Sequence, residues 1–334
     1  MKNKSAFIKE YNSFVACEPT LRYKGDIPFE QWQMAAREKL LELLGLPLER
    51  CEDDFELEYE KACDGYTDYR FTVQTEPDYY LPCHLLVPEY EGESIEATLC
   101  LMGHSMGMHI GMGVALTERD IATLEEWPER ALALCAVRQG RAAILIESRN
   151  MGESSVTGYG VSCTEAAKVA FMQGRTALGE RIWDAMRIID AAEKHFPFLD
   201  LSRLICTGNS GGGTVTYYLS CLDERIKISA PCCAVCEFEN SIAAMEHCLC
   251  NHVPFIKKYF EMGDLGGMIA PRKLVVTAGE IDDIFPIEGT KKSFERIKSL
   301  YKAAGAEGSC HLVIGDNGHY YYGARLWEKV NEII

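Results

Sequence analysis

The chain has 334 residues, enough to bury about 75% of its unfolded surface around a single core. Its 34 Lys and Arg stand against 50 Asp and Glu, a formal net charge of −16 with no basic run, which excludes nucleic acid, anionic membrane surfaces and polyanionic substrates as partners. The 15 cysteines are odd in number and scattered, residues 1–7 lack an apolar export core, and no apolar stretch nears bilayer length, so the expectation is a reduced, cytoplasmic protein without a membrane span.

In chain order, the first predicted element is a helix over 28–44, with Trp32, Ala35, Leu40, Leu43 and Leu44 near helical spacing. Gly45 stops it and Pro47 prevents its continuation. Residues 55–59, 69–74 and 84–87 come next as strands, the first two alternating, which suits an antiparallel start to a sheet. From 97 onward strands and helices alternate. Strands are expected at 97–102, 143–147, 204–207, 226–230, 273–278 and 310–314, and helices at 177–195, 214–222 and 286–304. Near-continuous apolar strands separated by helices predict an α/β fold whose mostly parallel sheet is covered on both faces. Residues 1–50 then form an amino-terminal helical extension and 51–334 the catalytic domain. The segment 236–268 is expected to be a lid-like insertion.

Gly-x-Ser-x-Gly occurs twice, at Gly103-His104-Ser105-Met106-Gly107 and at Gly208-Asn209-Ser210-Gly211-Gly212. A nucleophilic serine on a strand-to-helix turn needs neighbours without bulky side chains, and a helix behind it. The first copy runs into Met108-His109-Ile110-Gly111-Met112-Gly113, too glycine-rich for that helix, whereas the second enters the helix-compatible 214–222. Chain order separates them further. Downstream of Ser210, the strand 273–278 ends at Gly279-Glu280-Ile281-Asp282-Asp283, and the strand 310–314 leads to His319 on a glycine-punctuated loop. That order, nucleophile then acid then histidine, each after a strand, assigns Ser210 as nucleophile, Asp282 as acid and His319 as general base, with Asp283 a rival for the acid. For Ser105, an acid at comparable distance falls near Glu180 or Asp184, inside a helical pattern. The Gly211 N–H is expected to face the oxyanion, joined by a backbone donor from His104 or Ser105, between which the sequence does not choose.

Two other groupings suggest different chemistry. Cys232, Cys233 and Cys236, followed by His247, Cys248, Cys250 and His252, invite a metal, but the second cysteine pair is separated by one residue and the first lies at a strand end. That spacing fits a structural zinc site poorly, so these thiols are expected to pack as small hydrophobes and no metal is assigned. Glu147 and Glu153 flank a turn that fixes no distance between them, which leaves a glycosidase pair unsupported.

Together the elbow, the acid loop and the histidine loop resemble the α/β-hydrolase superfamily over about residues 55–334. More narrowly, 29–32, Gly103-His104, Ser148-Arg149-Asn150-Met151-Gly152-Glu153, Gly174-Arg175-Thr176 with Trp183-Asp184, and 279–286 look like bacterial acetyl xylan esterase and dienelactone-hydrolase-like proteins. The resemblance implies a serine esterase, without metal or cofactor and often oligomeric, that removes short acyl groups from sugars or other small molecules. Cephalosporin C deacetylases of that group carry Arg-Gly-Gln where this chain has Arg149-Asn150-Met151, and Gln where it has Gly211. Dienelactone hydrolase itself uses cysteine where this chain has Ser210. The expected function is hydrolysis of short acyl esters of carbohydrates or small alcohols, with a homo-oligomer left open. Two alternatives are a small-peptide peptidase or amidase of the same fold, and a binding protein that kept the fold without turnover.

Overall fold

The structure is a computed structural model that describes residues 5–334; residues 1–4, part of the stretch that lacks an apolar export core, lie outside the described residues. Nine strands, β1 (Glu56–Cys63), β2 (Tyr66–Glu76), β3 (Tyr79–Pro88), β4 (Ile95–Leu101), β5 (Ala142–Ile146), β6 (Leu199–Asn209), β7 (Ile228–Cys232), β8 (Lys273–Gly279) and β9 (Cys310–Gly315), form one sheet. Their order is β1-β2-β3-β5-β4-β6-β7-β8-β9. The pairs β1–β2, β2–β3 and β3–β5 are antiparallel, and every pair from β5 to β9 is parallel. Hence the antiparallel start and parallel remainder expected from the sequence are both present.

The parallel strands are apolar at successive positions because both faces are covered. Along β4, Leu99 and Leu101 enter one core while Cys100 enters the other; β5 divides Ile144 from Ala143 and Leu145, and β8 divides Leu274 and Val276 from Val275. The first face is covered by helices α2 (Phe29–Leu44), α6 (Ala177–His195), α7 (Gly211–Leu222) and α10 (Ile287–Ala303). The second is covered by α4 (Leu132–Val137) and α11 (Gly323–Ile333). Further helices, α1 (Ala6–Val15), α3 (Glu118–Glu126), α5 (Cys163–Met172), α8 (Ile256–Tyr259) and α9 (Met262–Leu265), were not expected from the sequence.

Helix α2 departs from its expected face by one residue. Trp32, Ala36, Leu40 and Leu44 are buried at a spacing of four, while Ala35 is exposed and Leu43 half-buried. The cause is polar: Gln33 is buried beside Trp32, and its amide donates to the carbonyls of Gly267 and Ala270 at 2.7 Å each. Those bonds offset the cost of burying the amide. Burying Trp32, Leu40 and Leu44 contributes roughly 1.5–3 kcal/mol each, and ties the helix to the same core as β4 and β6. Gly45 ends α2 at φ 74°, as expected.

The segment 236–268 divides in two. Residues 245–248 line a pocket beside the carboxyl ends of the strands. The remainder is not lid-like: Phe260, Leu265 and Met268 are fully buried in the main core, and the Tyr217 hydroxyl donates to the Met262 carbonyl at 3.1 Å.

Candidate active site

Ser210 stands between β6 and α7 at φ 56° and ψ −122°, a conformation that costs a non-glycine residue roughly 1–3 kcal/mol. Close backbone packing holds it there. The Ser210 N–H donates to the Cys232 carbonyl at 2.9 Å, and the Thr214 N–H returns to the Ser210 carbonyl at 2.8 Å. A Cβ on Gly208 would sit 2.5 Å from the Gly212 oxygen, and one on Gly212 would sit 2.0 Å from the Leu101 oxygen, so neither position admits a side chain. As the first residue of α7, Gly211 has an N–H with no acceptor inside the helix.

His319 and Asp282 meet on the loops after β9 and β8. His319 Nδ1 lies 2.9 Å from Asp282 Oδ2, and Asp282 Oδ1 accepts from the N–H groups of Ile284 at 2.8 Å and Phe285 at 2.9 Å. Burial works to raise the Asp282 carboxyl, but His319 and the two N–H donors outweigh it and hold the group below the usual carboxylate value. Asp283 is exposed. The imidazole stacks on Phe285 with centroids 5.7 Å apart, and the buried Cys233 thiol sits beneath the pair, within 4.8 Å of both.

Ser210 and His319 open into one cavity of about 410 Å³, shared with the loop 103–105, Arg130 and residues 245–248. The 103–105 loop abuts the elbow: a Cβ on Gly103 would lie 3.0 Å from Ser210 Cβ, and one on Gly211 would lie 3.2 Å from the His104 ring. Thus four of the residues singled out in the sequence, Ser210, His319, His104 and Ser105, line one pocket, while Gly211 abuts the His104 ring and Asp282 holds His319 from behind. Arg130 was missed. Its guanidinium lies over the Trp127 ring at 5.0 Å, has no carboxylate partner among the described residues, and is pushed to a lower pKa by burial. It ends the 3₁₀ turn Pro128–Arg130 just before Leu132–Val137, in a stretch with no motif, so only the tertiary structure brings it to the site.

The remaining groupings have structural roles. Glu147 is buried and accepts from the Met108 N–H at 3.1 Å and the Glu153 N–H at 3.3 Å, while Glu153 pairs with Arg70. Asp184 takes two bonds from Arg149, at 2.6 and 2.7 Å, and Arg175 pairs with Glu76 and Glu180. Trp183 Nε1 donates to the Thr75 carbonyl at 2.7 Å. Cys232 and Cys233 face the Tyr320 carbonyl and Cys236 the Pro286 carbonyl. His247 and His252 stack edge-on at 6.5 Å rather than converging on these thiols. Among the described residues no helix is long and apolar enough to cross a membrane.

The Abhydrolase family profile matches residues 6–306. Over 160 residues the chain is 25% identical to YtaP of Bacillus subtilis (strain 168), a protein provisionally named a hydrolase; the match spans 47% of this chain and 53%, about half, of that protein. A solved structure from Bacteroides fragilis NCTC 9343, provisionally named an acetyl xylan esterase, superposes with a TM-score of 0.83 at 15% identity, covering 100% of this chain and 96% of that one. A glucuronoyl esterase from Solibacter usitatus superposes at 0.69 and 15% identity, covering 95% and 96% respectively. At such identities the likeness speaks for the α/β-hydrolase fold.

Proposed function

This chain belongs to the Abhydrolase family, and from that premise we propose that it is a serine carboxylesterase acting on short acyl esters of carbohydrates or other small alcohols. One observation carries the reading: a serine at positive φ on a strand-to-helix turn opens into the same cavity as a histidine whose Nδ1 is held by a buried carboxylate.

In this reading Ser210 Oγ attacks the ester carbonyl as His319 Nε2 accepts its proton. Asp282 holds His319 in the tautomer that leaves Nε2 free, and stabilises the imidazolium formed. The Gly211 N–H and a backbone donor from His104 or Ser105 bind the oxyanion. The protonated His319 then gives its proton to the leaving alcohol, which leaves Ser210 acylated. Water repeats the attack with His319 again as base, releasing the acid and restoring the serine.

The cavity suits a small substrate, and Arg130 favours one whose non-reacting part is rich in oxygen or carries negative charge. That chemistry accommodates an acetylated sugar, and equally an ester of a sugar acid such as the substrates named by glucuronoyl esterases. Hydrolysis of p-nitrophenyl acetate, butyrate and octanoate, acetylated xylo-oligosaccharides and methyl glucuronate by the wild-type chain tests this reading. Labelling of Ser210 by a fluorophosphonate is the expected companion result. Inactivity on every ester together with an unlabelled serine would instead support a binding protein on this fold.

A further inference from the structure

The cysteines set aside for their spacing do not all behave as packing. His104, Cys163, Cys248 and Cys250 converge from three distant segments, and one ligand atom from each lies within 4.8 Å of the others. His104 Nε2 is 3.1 Å from Cys250 Sγ, and Cys250 Sγ is 3.2 Å from Cys248 Sγ. Zinc–sulfur bonds of about 2.3 Å and zinc–nitrogen bonds of about 2.0–2.1 Å place tetrahedral ligand atoms roughly 3.5–3.8 Å apart. Both measured spacings fall a few tenths of an ångström short of that range, and every pair of the four ligand atoms lies within 4.8 Å, so small side-chain rotations bring the four to tetrahedral distances. Three thiols and one imidazole form the soft, four-ligand set of a closed structural zinc site, with no position left for water.

A second observation is independent of the spacing. Arg181 is buried at 3% exposure and has no carboxylate partner among the described residues. Its guanidinium donates to the Arg149 carbonyl and, from Nη2, to Cys163 Sγ at 3.1 Å. Three neutral thiols would leave this buried cation uncompensated, at a cost of several kcal/mol. A zinc ion held by three thiolates and a neutral imidazole carries a net charge of −1, which Arg181 balances. Cys163 is also the first residue of the ten-residue helix Cys163–Met172, where unpaired N–H groups favour a thiolate.

We propose that His104, Cys163, Cys248 and Cys250 hold a structural zinc ion that fastens the loop carrying His104 to the wall of the Ser210 pocket. One metal ion displaces three thiol protons, and the cross-link joins the loop after β4, the start of Cys163–Met172 and the turn Leu249–Asn251. Because the His104 ring also abuts Gly211, the ion sets the position of the loop against the elbow. The site is a positioning element and takes no part in bond making.

Metal analysis of the full chain, purified untagged with reductant and without chelator, reads this directly and does not depend on esterase activity. Equimolar zinc is expected, falling to background in Cys163→Ser and Cys250→Ser and unchanged in Cys63→Ser. Should the cluster variants fail to fold, the wild-type chain stripped of zinc and reloaded with cobalt supplies the second readout. A thiolate-to-cobalt charge-transfer band with intense tetrahedral visible bands is expected. Substoichiometric zinc with no thiolate–cobalt band in the reduced protein overturns the proposal. So does a Cys248–Cys250 disulfide in the freshly purified chain.

Discussion

The two Gly-x-Ser-x-Gly segments share a pattern and part of a pocket, yet their serines stand in different backbones. Ser210 is at positive φ between an eleven-residue strand and a twelve-residue helix, and its hydroxyl has no hydrogen-bond partner among the described residues. Ser105 has an ordinary φ, is 7% exposed, and closes on its own loop by donating to the Gly107 carbonyl at 3.1 Å and accepting from the Gly107 N–H at 3.3 Å. The residues just beyond each motif make the difference. Helix-compatible residues after Ser210 continue the turn into α7, whereas glycines after Ser105 allow only the 3₁₀ turn Met108–Met112. A nucleophile motif therefore describes a strand–turn–helix unit, and the five letters alone do not make one.

The largest expected effect breaks the comparison outright. Ser210→Ala should lower kcat/KM by at least ~10⁴-fold, while Ser105→Ala, which leaves every backbone donor in place, should change it by less than ~10-fold. Steady-state hydrolysis of p-nitrophenyl acetate measures both, and a dead Ser105→Ala beside an active Ser210→Ala would reverse the assignment. Next in size, Asp282→Asn should cost roughly 10²–10⁴-fold in kcat, because an amide at this position can present its NH₂ to His319 Nδ1 and favour the wrong tautomer. Asp283→Asn, at an exposed position, should stay near wild type. Equal losses in the two variants would contradict the geometry at His319.

The sheet and the order of the three site residues were legible because each rests on a local signal: apolar runs for β4 to β8, and a glycine-marked loop directly after β6, β8 and β9. Other features had no local signal. The register of α2 turns on Gln33, whose burial depends on carbonyls at Gly267 and Ala270 far along the chain. Part of the expected lid is core because Met262–Leu265 and Gly266–Met268 pack against α10, which no run of residues 236–268 announces. Among the thiols, Cys232, Cys233 and Cys236 are buried as small groups against carbonyls, but Cys248 and Cys250 find their companions at positions 104 and 163. Spacing rules see ligands paired in sequence and miss ligands paired only by the fold.

The loop containing Ser105 is also anchored differently from the elbow, through a carboxyl group rather than through backbone packing. Burial pushes the Glu147 carboxyl up to about 7, against the Met108 and Glu153 N–H donors that favour its charged form. The folded state thus holds this proton more tightly than the unfolded chain. Its contribution is present below the unfolded value of 4.5 and is lost as pH rises through about 7. Glu147→Gln, which keeps an acceptor for both N–H groups, should match wild type near pH 4.5 and exceed it by up to ~3 kcal/mol at pH 8. Urea unfolding across that range measures the difference, and a constant gap between the two curves would refute the assignment.

The smallest effect is the sharpest discriminator, since the two serines should respond with opposite signs. Ser210→Gly relieves a strain of roughly 1–3 kcal/mol and loses ~0.5–1 kcal/mol to the greater freedom of glycine in the unfolded chain. The net expectation is an inactive protein more stable than wild type by about 1 kcal/mol. Ser105→Gly has no strain to relieve and gives up both hydrogen bonds to Gly107, so it should be less stable by ~1–2 kcal/mol. Thermal and urea unfolding of the pair, with residual esterase activity measured on the same samples, separates a residue held in place for chemistry from one held for its fold. If both variants lose stability, the strain at Ser210 is compensated locally, and the elbow is distinguished from the first loop by its chemistry alone.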